Sequence, residues 1–184
     1  MPITWYVLFK AVHVISAVVW VGGAHFSGIL GARAARSRDG RRMADFAGEM
    51  EVVGLRIFLP SSLFLILTGA AMMINGSLDW GQLWVDYGIA VWIVAFVLGL
   101  GFFGPESGRL KTLIRDQGPE SAEVQERIRR ILVVSRIEQI LLFGVVWAMV
   151  TKLATGNGGT WWVVGSAVVL VALLGYVGRG LVRR

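Results

Sequence analysis

The chain has 184 residues, 55% of them hydrophobic and 16% charged, with a formal net charge of +6 and no cysteine. That apolar content lies outside the range of ordinary soluble domains, and the missing cysteine excludes disulfides, thiolate-held zinc and iron–sulfur clusters. Net positive charge can signal nucleic acid, but here the basic residues flank long apolar runs instead of forming a basic face, so no nucleic-acid partner is expected.

A helix needs roughly 20 apolar residues to cross a bilayer. Five stretches meet that need, at about 8–31, 57–76, 86–104, 131–152 and 160–179. The opening MPITWYVLFK lacks the charged start of a signal peptide, so span I is read as a retained helix. Within it Gly23, Ser27 and Gly31 sit four apart, as do Ala24, Gly28 and Ala32, giving small-residue seams that let helix backbones approach. Packing inside the chain is the simpler use of these seams. A homodimer or a membrane-protein partner bound through Gly23, Ser27 and Gly31 is the alternative.

The next stretch carries Arg33, Arg36, Arg38, Arg41, Arg42 and Arg56, and residues 41–56 read as the solvent-facing start of span II. Pro60 predicts a kink just inside that span. The short loop before span III has no basic residue but contains Asp79 and Asp86. Between spans III and IV come Arg109, Lys111 and Arg115, then Arg127, Arg129 and Arg130 on a helix expected to begin with Pro119 in its first turn. Lys152 stands alone in the following loop, and Arg179, Arg183 and Arg184 close the chain.

Lys and Arg remain on the cytoplasmic side of an inserted protein, so this alternation predicts an outside N-terminus and a cytoplasmic C-terminus. Trp5, Trp80, Trp84, Trp161 and Trp162 then fall at the outer boundary, where an aromatic belt belongs. The expected fold is all-α: a polytopic membrane helix bundle of five transmembrane helices. Residues 1–184 form a single integral membrane domain, multi-pass in a bacterial plasma membrane, with the lipid bilayer as its surroundings.

Polar groups at membrane depth are costly and mark candidate sites. His13 shares a helix face with Trp20, and Met72 and Met149 end spans II and IV at similar depth. A His/Met pair suits haem iron or copper, whereas a core histidine with gap-filling methionines is the bland reading. His25 lies twelve residues further, about 18 Å along the axis, too far to share a ligand with His13. A second cluster at the inner boundary comprises His25, Arg56, Arg136 and Glu138. Glu138 lies inside span IV with Arg56 as its natural partner, forming a structural ion pair or, alternatively, part of a transport path. The chain shows no nucleophile–base pair, phosphate loop or HExxH pattern, so enzymatic activity stays open.

The segment LFKAVHVISAVVWVGG (8–23) resembles the first helix of an uncharacterised family of bacterial predicted integral membrane proteins. EVVGLRIFLP (51–60), TGAAMM (68–73) and the basic helix entering span IV extend that likeness along most of the chain. The same first helix resembles, more distantly, the HemJ-type protoporphyrinogen oxidases and the copper-resistance D-type membrane proteins. The HemJ-type resemblance implies haem, here haem b, held by His13; the helix face and depth add Trp20 as a residue to stack beside the macrocycle and Met72 or Met149 as a further ligand. It also implies a lysine at the start of span III, where this chain reads WVDYGIAVW. The expected functions are therefore haem handling through His13, a non-enzymatic membrane subunit, or a small transporter.

Overall fold

A computed structural model describes residues 4–37, 39–76 and 78–152. The fifth expected span, 160–179, with Trp161, Trp162 and the terminal arginines, lies outside the described residues. Four helices are long and apolar enough to cross a membrane: Trp5–Arg36, Arg41–Asn75, Leu83–Gln117 and Ala122–Thr151. Among the described residues there is no strand. Each helix overruns the apolar stretch that announced it. The second and third continue well into the arginine-rich segments, so a helical basic end projects from the apolar bundle.

The first three helices are each interrupted by one wider π turn. α1 (Trp5–Ala17) and α2 (Gly23–Arg36) flank Val18–Gly22; α3 (Gly40–Val53) and α4 (Leu59–Asn75) flank Gly54–Phe58; α5 (Leu83–Leu98) and α6 (Gly104–Gln117) flank Gly99–Phe103. α7 (Ala122–Thr151) is continuous. Proline has no N–H to donate and its ring crowds the carbonyl four residues back, so a helix must loosen there. Pro60 and Pro105 each follow a π turn by two residues. The expected irregularity at Pro60 is thus a widened turn on its N-terminal side.

Local signals set the helix ends. Asp39 caps α3, its carboxylate accepting from the N–H groups of Arg41 at 3.0 Å and Arg42 at 3.3 Å. Ser121 caps α7 by accepting from Val124 N–H at 3.3 Å, so Pro119 sits in the preceding turn and not in the first helical turn. Gly118, at φ 82°, closes α6 in a conformation that glycine adopts without a Cβ penalty.

Three tight hairpins bring the helices into one bundle. α1 packs on α4, α5 on α7, α3 on α6, and α2 on both α3 and α7. At the basic end Met43, Ala47, Leu110, Ile114, Val124 and Ile128 form a buried core. There Glu106 clamps α6 to α7 through Arg127 at 2.9 Å and also holds Arg109 at 3.2 Å. At the other end Met73, Trp84, Val85 and Ala148 pack together.

Along the spans the surface is apolar, with Val14, Ile15, Phe64, Leu67, Val97 and Val150 exposed, while Ser16, Ser62, Thr68 and Glu138 are buried. That inversion suits a bundle whose solvent is hydrocarbon. Trp5 and Trp80 are exposed, as a belt requires, but Trp84 is only 8% exposed. Its ring faces inward beneath the Lys152 ammonium, 3.5 Å from the ring centroid, and so leaves the belt. Burial, then the nearby Lys10 charge, holds the Lys152 amine below the usual lysine range.

The small-residue seam of span I is filled from within the chain. A Cβ added at Gly23 would lie 2.6 Å from the Phe58 ring, and one at Gly31 would lie 2.9 Å from the Phe46 ring. Gly28 lies directly beneath the Gln139 amide, which donates to Ser135 Oγ at 3.1 Å and to the Ala24 carbonyl at 3.4 Å. Gly23 and Gly31 are therefore contact points for span II, not a free face for a second copy.

Candidate functional site

Widening a helix by one residue turns side chains out of their ordinary phase, and such turns recur at functional sites. Here all three π turns contribute to the wall of one cavity of about 330 Å³. Span I supplies Trp20 and the small residues Ala24, Ser27, Gly28 and Gly31. Span II supplies Phe46, Glu51, Leu55 and Phe58, span III Phe96, Gly99 and Phe103, and span IV Ser135 and Glu138. An added Cβ at Gly54 or Gly99 would meet nothing within 4 Å, so these glycines leave room that a larger residue could fill.

Glu138 is the chemically distinctive wall residue. It is 8% exposed and makes no hydrogen bond or ion pair with any described residue. A carboxylate in apolar surroundings is costly to leave unpaired. The expected partner does not meet it: Arg56 is exposed. In the turn Gly54–Phe58 it is Gly54, Leu55 and Phe58 that face the cavity, which leaves Arg56 on the outward side.

The remaining members of the expected inner cluster also stand apart. His25 is exposed and meets the Phe143 ring edge-on at 5.3 Å between centroids, in the seam of α2 and α7. Arg136 is two residues from Glu138 on one helix, does not line the cavity, and forms no ion pair among the described residues. No group of three His, Asp or Glu suited to a metal ion occurs among the described residues.

His13 occupies a different place. Its Nδ1 lies 2.9 Å from the Leu65 carbonyl and 3.3 Å from Thr68 Oγ1. The Thr68 hydroxyl donates to the Phe64 carbonyl, and a carbonyl only accepts. Nδ1 is therefore the donor in both contacts, the ring is in its Nδ1–H form, and Nε2 keeps its lone pair. Gly69 makes room for the imidazole, whose Cε1 would lie 3.3 Å from an added Cβ. Met72 lies one turn beyond Thr68 on the same face of α4. Trp20 instead packs with Val91, Ala95 and Leu142, and Met149 packs against Gly88 in the α5–α7 pair. The structure does not gather His13, Trp20 and Met149 into one site.

Hydropathy could not reveal the cavity, since its wall is assembled from four helices. The weak sequence signals were the two proline positions and the lone acid within span IV.

The family model described as "Predicted integral membrane protein (DUF2269)" matches residues 7–153. The chain belongs to this family. The DUF2269 match takes in the four described helices except Trp5 and Tyr6, every described residue of the cavity wall, and His13. It carries nothing of the distant likeness to haem and copper proteins. No curated protein and no solved structure matches the chain.

Proposed function

We propose that this DUF2269 protein is a membrane-embedded binding protein whose cavity, framed by the three π turns, takes a lipid-soluble small molecule. One observation carries the reading: among the described residues the cavity is lined by four helices, is largely apolar, and keeps a single buried carboxylate that pairs with no described residue. Binding cavities are mostly apolar with a few placed polar groups, and this one has that composition. The setting is the bacterial plasma membrane, with the basic end toward the cytoplasm, so the cavity opens on the inner half of the bilayer.

Gly99→Leu adds a side chain at a wall position where its first carbon meets nothing within 4 Å. Native mass spectrometry of the protein extracted in mild detergent is expected to show one lipophilic adduct on the wild type and none on Gly99→Leu, with thermal unfolding unchanged. An adduct of the same mass and occupancy on both proteins counts against the cavity.

A second reading attaches to His13 and haem b. It is favoured by the Nδ1–H donation to Leu65, since metal-bound histidines commonly donate their other ring N–H to a carbonyl, which fixes the ring and frees Nε2. His13 would hold the iron, with Met72 the nearest candidate on α4 for a second ligand; bound haem would supply electron transfer. Trp20 and Met149 take no part in this reading, because each is committed to packing elsewhere.

A further inference from the structure

The proposed cavity has a charge pattern that narrows its ligand. Its only ionisable wall residues among those described are Glu51 and Glu138, both acidic, and no Lys, Arg or His lines it. Glu51 is exposed and stands at the solvent-facing end, whereas Glu138 is buried. In a protein whose net charge is +6, the ionisable residues that line this cavity, among those described, are acids alone.

The Ser62 and Ser135 hydroxyls on the same wall make no hydrogen bond to Glu138. Ser62 donates its hydroxyl to the Leu59 carbonyl, and Ser135 accepts from the Gln139 amide. Trp20, Phe58, Phe96 and Phe103 line the wall, and the faces of aromatic rings attract cations and not anions. A carboxylate in this setting is stabilised most by a positive charge brought in by the occupant.

Resting on the cavity reading above, we propose that the occupant is a lipid-soluble organic cation, an amphiphilic amine or an onium ion, with Glu138 as its counter-charge. The apolar body of such a molecule fills the space between the aromatic rings. Its cationic centre sits against the carboxylate, and Glu51 at the mouth favours its approach. An acidic or neutral lipid of equal size lacks the group that compensates Glu138.

Tetraphenylphosphonium and tetraphenylborate have nearly the same shape and opposite charge. Their binding to the protein in zwitterionic-lipid nanodiscs is measured by equilibrium dialysis, with binding to empty nanodiscs subtracted. The wild type is expected to bind the phosphonium about 30-fold or more tighter than the borate, as a buried charge pair requires. Glu138→Gln removes that preference, Glu138→Asp retains most of it, and Glu51→Gln weakens phosphonium binding only about threefold, since an exposed pair counts for little.

Equal binding of both ions, abolished by Gly99→Leu, overturns the cation and leaves the cavity standing. Binding of neither ion above empty discs, together with an adduct that survives Gly99→Leu, overturns both. The comparison of the two ions on the wild type decides the matter even where a Glu138 variant does not fold.

Discussion

A histidine at membrane depth has two uses that differ in the state of Nε2. As a packing residue, His13 would satisfy both ring nitrogens inside the bundle; as a ligand, it would keep Nε2 for an incoming group. The donation from Nδ1 to Leu65 at 2.9 Å is compatible with the second use and fixes which nitrogen would serve. Purified protein reconstituted with haem b is expected to show a Soret band that His13→Ala removes and His13→Gln does not restore. Absence of a band in the wild type, or an undiminished band in the folded His13→Ala protein, sinks the haem reading. His13 itself was legible, because an imidazole stands out in an apolar run. Its partners were not, because pairing with Leu65 and Thr68 depends on the register between two helices. Glu138 was legible in the same way, and the error over Arg56 had the same origin. Depth alone suggested the pair, while the phase of the π turn Gly54–Phe58 determined that Arg56 faces outward.

At the level of helices, the apolar runs marked the four described spans well, since hydrocarbon thickness imposes a length that chance seldom produces. The overrun ahead of spans II and IV was also readable, from residues 41–56 and from the basic helix expected after Pro119, although that helix starts after Ser121. The π turns were not, because a shift of one residue in phase is smaller than the scatter of a hydrophobic pattern; only Pro60 and Pro105 hint at them. The seam between spans I and II turns on Gly23, whose missing Cβ admits the Phe58 ring at the edge of one such turn. Gly23→Ala forces a rigid ring to move and is expected to destabilise the protein by about 1–3 kcal/mol in thermal unfolding in detergent. Phe58→Leu should recover part of that loss when combined with Gly23→Ala, because the shorter side chain vacates the contact. Chemical cross-linking of the single variant should show no change in self-association. A Gly23→Ala protein of full stability that has lost a dimer would instead restore the seam to an intermolecular role.

For the molecule as a whole, the charge distribution makes a stronger statement than any one span. The arginine-bearing helical stretches 33–36, 41–56, 106–117 and 122–130 converge at one end of the bundle, where Glu106, Glu123 and Glu126 pair with only some of the basic groups. The opposite end carries Asp79 in its hairpin, with Lys10 and Lys152 as its basic residues among those described. Moving the arginine-rich end across a bilayer is strongly disfavoured, so the N-terminus is expected outside. The natural chain has no cysteine, which makes single-cysteine labelling unambiguous. Asp79→Cys, in the exposed hairpin between spans II and III, should react with a membrane-impermeant maleimide on intact cells. Arg41→Cys, exposed at the start of the second long helix, should react only after permeabilisation. The reverse pattern would place the cavity mouth and Glu51 on the outer side, and a lipid-soluble cation would then reach Glu138 from the outer leaflet.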